Sequence, residues 1–346
     1  MTKDEFKQDL IHFLSEWNNT EKKVLVHTSG STGKPKPLWV EKEKMKASAR
    51  LTCEFLHLQT GDSALLCMPL QYIAGKMVVV RSLVANLRLL LVAPCGHPLA
   101  DLQEIPSFAA MIPMQVYNSL QVPEEREKLK QIRHLIIGGG AIDAKLAEEL
   151  KSFPQAVWST YGMTETLSHI ALRRLNGAKA SDWYTPFKEV SIRLSDEGTL
   201  CIHAPQVCAE ELITNDIAEL NDKGEFRIIG RKDNIINSGG IKIQIEEVEK
   251  RLKEVIPYPF MITSQPHPKF GEIVVLLVEE TSQINNKKIA DSPSEMNKFT
   301  FSLQNECTKN LPTYWIPKKI IVVSQLPMTQ TGKPDRATAR ILAKNE

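Results

Sequence analysis

The stretch VLVHTSGSTGKPKPLWV, residues Val24–Val40, begins as an apolar run and continues into a loop of glycine, hydroxyl and lysine residues. Such a loop after a strand can turn several backbone N–H groups toward one phosphate, because glycine permits the necessary dihedral angles and has no Cβ atom. The candidate phosphate ligands are Thr28, Ser29, Gly30, Ser31, Thr32, Gly33, Lys34 and Lys36. The stretch therefore predicts a strand and a phosphate-binding loop, and a surface turn of small residues is the structural alternative.

The end of this loop differs from that of the nucleoside-triphosphatases. Their loop continues from Gly-Lys into Ser or Thr, whose hydroxyl holds magnesium. Here Gly33 and Lys34 are followed by Pro35, which has no hydroxyl group and changes how the following helix could begin. The sequence therefore disfavours a nucleotide hydrolase of this class.

The composition is that of an ordinary globular protein, with 42% hydrophobic and 24% charged residues in a chain of 346. This length predicts two or three domains. The net charge of +2 comes from scattered basic and acidic residues, so nothing favours a nucleic-acid partner. The six cysteines show no spacing typical of a metal site.

No segment of the sequence predicts a membrane span. The longest apolar stretch, Met77–Pro94, is interrupted by Arg81 and Arg88, and we interpret it as a buried helix and strand. The N-terminus contains acidic residues and has no apolar signal core. We therefore expect a cytoplasmic protein without membrane insertion.

The pattern along the first half of the chain predicts an α/β sheet. Apolar residues at helical spacing predict a first helix over Lys3–Trp17, and strand-like and helix-like segments alternate after it. One such strand, His134–Ile137, leads into three consecutive glycines, and Asp143 is a candidate helix cap after them. We interpret Ala109–Leu120 as a single helix.

The second half predicts two further regions. From Val190 onward, short apolar runs are separated by turn residues, which is typical of a small β subdomain. After Asn234 the pattern gives a helix, a strand, a second helix and a strand, enough for a compact α+β domain.

Five sequence blocks resemble, in order, the motifs of the acyl-adenylating enzymes, which include acyl-CoA ligases, peptide-synthetase adenylation domains and firefly luciferase. The blocks are Thr28–Lys36, Tyr161–Thr166, Thr214–Asp216, Gly230–Gly240 and Pro327–Lys333. In the third block Asn215 replaces a usual glycine. Ordered blocks over most of the chain are a specific signal, and the chain is identified as a member of this superfamily.

The resemblance implies the adenylate-forming enzyme fold, shortened at its N-terminus. It places a large α/β domain with a β subdomain at residues 1–230, a hinge at 231–234 and a small mobile α+β lid domain at 235–346. Asp233 falls where the family has its hinge. In such enzymes the small domain rotates between adenylation and thioester formation.

The resemblance also assigns roles in the first half-reaction, in which a carboxylate attacks the α-phosphate of ATP. Lys333 is the cation expected to bridge the two anions, and a solvated turn lysine is the structural alternative. Thr164 resembles the phosphate-contacting hydroxyl, and Glu165 resembles the carboxylate associated with magnesium. The implied cofactors are ATP, Mg²⁺ and coenzyme A.

Further residues resemble the family's nucleotide and CoA sites. Asp216 and Arg231 correspond to the pair that binds the ribose. The residues expected to border the adenine are Gly138, Gly139, Gly140, Tyr161 and Gly162. A buried structural tyrosine is the alternative for Tyr161. Gly239 and Gly240 correspond to the pantetheine channel, although an ordinary turn would also use them.

The acyl site resembles that of the o-succinylbenzoate–CoA ligases of menaquinone biosynthesis. Tyr72 stands in place of a family histidine, and Gly75 closes the same block. Arg81 follows on an otherwise apolar helix, where those ligases have a basic residue near the distal carboxylate of their substrate. An arginine that reaches from the helix end to solvent is the structural alternative.

The sequence therefore predicts an acid–CoA ligase that forms an acyl-adenylate and then a thioester, with 2-succinylbenzoate as the first candidate substrate. Another aryl or short-chain acid is the alternative within the same class. A stand-alone adenylation enzyme that charges a carrier protein, or a regulator without thioester chemistry, belongs to a different class. The expected partner is a small carboxylic acid, and a homodimer is one of the open oligomeric states.

Overall fold

A computed structural model describes residues 1–27, 37–140, 142, 144–280, 293–329 and 334–345. The loop Thr28–Lys36, the candidate cap Asp143 and the candidate catalytic Lys333 lie outside these residues. The chain divides into two compact units. The first comprises Met1–Ser195, Leu200–Thr214 and Leu220–Arg227, and the second comprises Asp196–Thr199, Asn215–Glu219 and Ile228–Glu346.

The first unit opens with helix α1, Lys3–Asn18, close to the predicted Lys3–Trp17. The helix begins at a capping box, in which the Thr2 hydroxyl accepts from the backbone N–H of Glu5 and the Glu5 carboxylate accepts from that of Thr2. Its apolar side buries Phe6 and Phe13. Two short antiparallel strands follow, β1 (Lys23–His27) and β2 (Pro37–Glu41).

A seven-stranded sheet forms the centre of this unit, and helices lie between its strands in the chain. The strands are β3 (Ser63–Leu66), β4 (Arg88–Leu91), β5 (Phe108–Met111), β6 (His134–Ile137), β7 (Ala156–Gly162), β8 (His169–Arg174) and β9 (Thr185–Pro186). The helices are α2 (Lys42–Phe55), α3 (Ile73–Ala85), α4 (Pro113–Gln121), α5 (Pro123–Gln131) and α6 (Ala144–Leu150). The spatial order is β4-β3-β5-β6-β7-β8-β9, with parallel pairing from β4 to β7 and antiparallel pairing beyond.

The central parallel strands β3 and β5 are buried along their length, as expected where both faces of a sheet are covered. All four residues of β3 and of β5 are buried. Leu65, Ala109 and Leu135 from three neighbouring strands join one hydrophobic cluster with residues of α4, α5 and α6. The predicted α/β organisation is confirmed.

The prediction of one helix over Ala109–Leu120 is wrong for its first residues. Phe108–Met111 is strand β5, and helix α4 begins at Pro113. The run is short and fully buried between β3 and β6, so it serves as a central parallel strand. Proline suits the first turn of a helix and disfavours helical geometry in the residue before it, which separates the two elements.

A smaller sheet follows, as predicted from the short strands after Val190. It contains β10 (Ser191–Leu194), β11 (Thr199–His203), β12 (Leu212–Leu220) and β13 (Phe226–Arg231), in that order. Gly198 and Gly224 occupy two of the predicted turns with φ of 76° and 74°, a region that favours glycine.

The second unit has a five-stranded sheet with helices on both faces. Its strands are β14 (Ile235–Ser238), β15 (Ile241–Gln244), β16 (Phe260–His267), β17 (Gly271–Glu279) and β18 (Lys319–Val323). Its helices are α7 (Ile245–Leu252), α8 (Pro293–Asn310) and α9 (Arg336–Asn345). Alternate residues of β17 face opposite sides: Val274 and Leu276 pack with α7 and α8, while Val275 and Leu277 pack with α9.

Within the described parts of the chain, every helix is too short or too polar to span a bilayer.

Candidate active site

Three loops meet where parallel strands β5, β6 and β7 end. Met111 and Ile137 are register partners at the ends of β5 and β6. Ile137 also pairs with Ser159 of β7, shortly before that strand ends at Gly162. Open α/β sheets bind ligands outside the carboxyl ends of their strands. The first unit therefore brings two of the predicted motifs, the glycine run and the Tyr161–Thr166 block, to one sheet edge.

The glycine run at this edge is required by close packing. The N–H of Gly138 donates to the carbonyl of Met111 at 3.1 Å, and a Cβ atom at Gly138 would overlap the hydroxyl of Thr160. Gly139 has a φ of 79°, which strains any other residue. The backbone of this run carries no side chains, so a flat aromatic base could lie directly against it. Its contact with adenine stays a prediction.

The block after β7 forms a loop held from inside by Thr166. This side chain is fully buried, and its hydroxyl accepts from the N–H of Met163 at 3.0 Å and donates to the carbonyl of Ser168 at 2.7 Å. Leu167 donates to the carbonyl of Thr164 at 2.9 Å. Thr164 is partly buried and Glu165 is exposed, so both side chains are presented from a fixed loop.

Gly162 makes the sharp end of this strand possible. A Cβ atom there would overlap the backbone of Ser168 and His169, since β7 and β8 approach closely at a register shift between Tyr161 and Gly162. The glycine of this motif therefore has a packing role independent of any ligand.

Tyr161 is partly buried and packs against two other aromatic side chains. Its ring meets Phe226 edge-on with centroids 5.0 Å apart, and Tyr184 lies 5.8 Å away. The hydroxyl of Tyr184 is hydrogen-bonded to Ser159 at 2.9 Å. These contacts fix the Tyr161 ring at the carboxyl edge of the sheet. Stacking on adenine stays a prediction.

The donor set fits a magnesium ion bound mainly through phosphate oxygens. No group of three or more His, Cys, Asp or Glu side chains suited to a metal occurs among the residues that the structure describes. Magnesium commonly binds through one or two carboxylates, substrate phosphates and water. The exposed carboxylate of Glu165 at the sheet edge matches that mode.

Arg81, the predicted acyl-site residue on α3, is buried, with 2% of its surface exposed. The alternative in which it reaches to solvent is wrong. Its Nη2 atom donates to the hydroxyl of Ser168 at 2.6 Å, whereas no described residue provides an acceptor for its buried Nε atom. Burial lowers the pKa of the guanidinium to about 10, so it remains charged near neutral pH. No carboxylate in the described chain forms an ion pair with it.

Tyr72 and Gly75 lie at the start of the same helix. A Cβ atom at Gly75 would lie 2.5 Å from the carbonyl oxygen of Pro69, so glycine is required for the helix to pack on that turn. Tyr72 is partly buried, and its backbone forms a parallel bridge with His27. The start of α3 thus adjoins the strand that leads into the candidate phosphate loop. Contacts of either residue with the acid stay predictions.

Three polar residues around Arg81 were missed from the sequence: Ser168, His169 and Thr52. His169 is buried, with its Nδ1 atom 3.3 Å from the Ser168 hydroxyl and its Nε2 atom 3.1 Å from that of Thr52. Burial, and then the charge of Arg81, hold the pKa of His169 well below its usual value. The available signal was the position of Ser168 and His169 directly after a motif block.

In the second unit, the predicted ribose pair is in contact. Arg231 donates from Nη1 to Asp216 at 3.0 Å and from Nη2 to Asp233 at 2.8 Å. Asn215, the residue that departs from the family's glycine, donates to the same Asp233 oxygen at 3.3 Å. Asp233 is exposed in a short turn, Lys232–Asn234. The candidate ribose residues and the candidate hinge residue thus share one ion-pair network.

Gly239 and Gly240 form a two-residue turn between β14 and β15. Their φ angles are 59° and 82°, which is typical of hairpin turns that need positive φ at both positions. The turn alone explains both glycines. A Cβ atom at Gly240 would have no neighbour within 4 Å, so its open side leaves room for a ligand. A role in CoA binding stays a prediction.

A profile of the family described as AMP-binding enzyme matches residues 10–212 of the chain. The chain belongs to this family. Among solved structures, an "acyl-CoA synthetase (AMP-forming)/AMP-acid ligase II-like protein" from Dyadobacter fermentans is 32% identical, with a TM-score of 0.65. The match covers 96% of this chain and 93% of that one.

Two further relatives of this chain are ligases that act on the same acid, 2-succinylbenzoate. The 2-succinylbenzoate–CoA ligase of Enterococcus faecalis is 27% identical, over 89% of this chain and 67% of the relative. The o-succinylbenzoate–CoA synthetase of Bacillus subtilis, solved with an acyl-adenylate intermediate, is 22% identical with a TM-score of 0.71, over 91% of this chain and 68% of that one.

These relationships confirm the predicted superfamily, fold and reaction class. The protein is an AMP-forming acyl-CoA ligase with the adenylate-forming enzyme fold. Its reaction uses ATP, Mg²⁺ and coenzyme A, and its substrate is a small molecule.

Proposed function

We propose that this ligase activates 2-succinylbenzoate for menaquinone biosynthesis, forming the acyl-adenylate and then the CoA thioester. The observation that carries the proposal is the buried guanidinium of Arg81, whose Nε atom has no acceptor in the described part of the chain. A charge removed from water costs several kcal/mol unless a partner compensates it. A substrate with two carboxylates supplies that partner with one while the other reacts.

The position of Arg81 agrees with this role. Its partner Ser168 closes the loop that carries Thr164 and Glu165, so the guanidinium lies behind the candidate phosphate-contacting segment. Val78, Val79 and Val80 precede Arg81 on α3 and are fully buried, and Lys76, the other buried cation of this helix, is already paired with Glu16. One fixed cation in an apolar wall favours an aromatic or aliphatic acid with a single distal anionic group.

In the first half-reaction, the protein has to bring two anions together, the acid carboxylate and the α-phosphate. We assign Lys333 to the bridging position, where an ammonium offsets the repulsion and aligns the attack. The Thr164 hydroxyl donates to a phosphate oxygen. Glu165 holds Mg²⁺, which neutralises phosphate charge when bound.

In this proposal, residues from several of the motifs hold the nucleotide. The carboxylate of Asp216 accepts hydrogen bonds from the ribose hydroxyls, with Arg231 as its companion. The backbone of Gly138–Gly140 supports one face of the adenine, and Tyr161 covers the other. The loop Thr28–Lys36 donates to the phosphates, as its composition predicts.

For the second half-reaction, we assign residues 1–230 to the large domain, 231–234 to the hinge and 235–346 to the lid. Rotation about Asp233 removes Lys333 from the reaction centre and brings the Gly239–Gly240 turn to the path of the CoA arm. The small surface of these glycines suits the passage of a thin pantetheine chain. The thiol then displaces AMP from the acyl-adenylate.

An acid-dependent pyrophosphate-release assay tests the substrate. It compares 2-succinylbenzoate with benzoylpropionate, which keeps the reacting carboxylate and lacks the aromatic one. A charge-assisted hydrogen bond contributes about 1.5–3 kcal/mol, so kcat/KM should favour the dicarboxylate by roughly 10- to 100-fold. Equal values would contradict the proposed acid, and preference for another aryl or short-chain acid in a wider panel would replace it.

A further inference from the structure

A continuous chain of hydrogen bonds connects Arg81 to helix α2 through the interior of the first unit. Nη2 of Arg81 lies 2.6 Å from the Ser168 hydroxyl, which lies 3.3 Å from Nδ1 of His169. Nε2 of His169 lies 3.1 Å from the Thr52 hydroxyl, and Thr52 lies 3.3 Å from the carbonyl oxygen of Ser48. The proposed reaction scheme uses only the arginine.

The groups at the two ends of this hydrogen-bond network determine which atom donates in each hydrogen bond. A guanidinium only donates and a carbonyl only accepts. Ser168 therefore accepts from Arg81 and has its proton available for Nδ1 of His169. Thr52 donates to Ser48 and accepts from the Nε2–H of His169. Both hydroxyl groups and both imidazole nitrogens are satisfied if the imidazole is neutral and carries its proton on Nε2.

The surroundings of His169 hold this arrangement in place. The ring lies edge-on to Phe187, with centroids 5.5 Å apart, which limits its rotation. Protonation of Nδ1 would make both Arg81 and His169 donors to the Ser168 oxygen, and the Ser168 proton would lose its acceptor. It would also add a second buried cation beside the first. The neutral state is consistent with the depressed pKa of this histidine.

We infer that His169 and Thr52 are positioning residues that orient Arg81 through Ser168, so that its Nε atom is directed at the distal carboxylate of the acid. Ser168 occupies Nη2, and Nε has no acceptor among the residues that the structure describes. A guanidinium fixed at one nitrogen loses less rotamer freedom when an anion binds at another. This inference rests on the proposed function, because it requires a substrate with a second anionic group.

Variants at Thr52 test the inference at a distance from the substrate. Thr52→Val keeps the shape of the side chain and removes the hydroxyl, and Thr52→Ser restores the hydroxyl. We expect Thr52→Val to lower the preference for 2-succinylbenzoate over benzoylpropionate by roughly 3- to 10-fold, the range of one net hydrogen bond. The change should appear in KM for the dicarboxylate, with KM for ATP unchanged, and Thr52→Ser should recover the preference.

Ser82→Ala is the matched control. Its buried hydroxyl donates to the carbonyl of Val78 within α3, the helix that carries Arg81. This bond is separate from the hydrogen bonds that connect Arg81 to His169. The variant should leave the substrate preference unchanged. Thermal unfolding establishes that each variant is folded, and Thr52→Ala replaces Thr52→Val if the latter does not fold.

The outcomes separate this inference from the proposed function. A wild type that prefers the dicarboxylate, together with a Thr52→Val variant of equal preference, would overturn the inference alone. Equal losses with both acids and with ATP would show a general structural role and would also overturn it. A wild-type enzyme without preference for 2-succinylbenzoate over benzoylpropionate would refute the proposed substrate. The positioning role would then also be refuted, because it depends on that substrate.

Discussion

Arg231 and Asp216 form an ion pair in which Nη1 of the arginine lies 3.0 Å from Oδ1 of the aspartate. The same guanidinium reaches Asp233 through Nη2. The two residues predicted to bind the ribose are therefore already in contact, and Arg231 also joins them to the residue predicted to be the hinge. Under the proposed function, this network would connect the ribose-binding residues to the hinge.

The Asp216→Asn variant should bind ATP more weakly. The amide retains one acceptor, but it loses the charge that strengthens hydrogen bonds to ribose hydroxyls and to Arg231. We expect KM for ATP to rise roughly 10-fold or more, with a smaller change in KM for the acid. Steady-state pyrophosphate release measures both. Asp222→Asn, in an exposed turn, is the control, and an unchanged KM for ATP in Asp216→Asn would remove the ribose assignment.

The Asp233→Pro variant should separate the two half-reactions. Proline fixes φ near −65° and so blocks the dihedral change that a hinge needs. Pyrophosphate release should continue while acyl-CoA formation slows by roughly 10-fold or more. Asn215→Gly is the control, because it removes one side-chain donor to Asp233 and leaves the backbone of residue 233 free to turn. Normal thioester formation in Asp233→Pro would place the hinge elsewhere.

Lys333→Ala should abolish adenylate formation and leave thioester formation from supplied acyl-AMP largely intact. Without the ammonium, the carboxylate and the α-phosphate repel each other, which raises the barrier of the first step only. Single-turnover assays of each half-reaction measure the two rates. Lys269→Ala, an exposed lysine of the second unit, should change neither. Equal loss in both half-reactions would contradict a lysine that leaves the site between them.

The sequence predicted the elements whose signal is local. His134–Ile137 is a continuous apolar run before glycines, and the structure has strand β6 with these bounds. Phe108–Met111 was misassigned because a short buried strand and the start of a helix have the same apolar composition. The partners of Arg81 could not be predicted, because Thr52 and His169 are separated by 117 positions and only the tertiary fold brings them together.

Gly138→Ala should destabilise the protein in a way that a second substitution reverses. The new Cβ would overlap the Thr160 hydroxyl, and overpacking of this kind costs about 1–3 kcal/mol. In Gly138→Ala with Thr160→Ala the overlap disappears, so the two effects should be non-additive. Urea unfolding of the four proteins measures this coupling. Gly162→Ala should show no such rescue by Thr160→Ala, because its neighbours are backbone atoms; additive effects at Gly138 would contradict the packing argument.

The Arg81→Met variant should be more stable than the wild type and less selective. Methionine fills a similar volume without a charge, and a buried cation without a carboxylate partner among the described residues is a cost to folding. Under the proposed function, the distal carboxylate of the substrate offsets that cost. We expect the free energy of unfolding to rise by about 1–3 kcal/mol and the preference for 2-succinylbenzoate over benzoylpropionate to disappear. Arg88→Met removes an exposed arginine paired with Glu104, so it should change stability by less than about 1 kcal/mol and leave selectivity intact. A destabilised Arg81→Met variant that keeps its preference would show that this guanidinium serves the fold rather than the substrate.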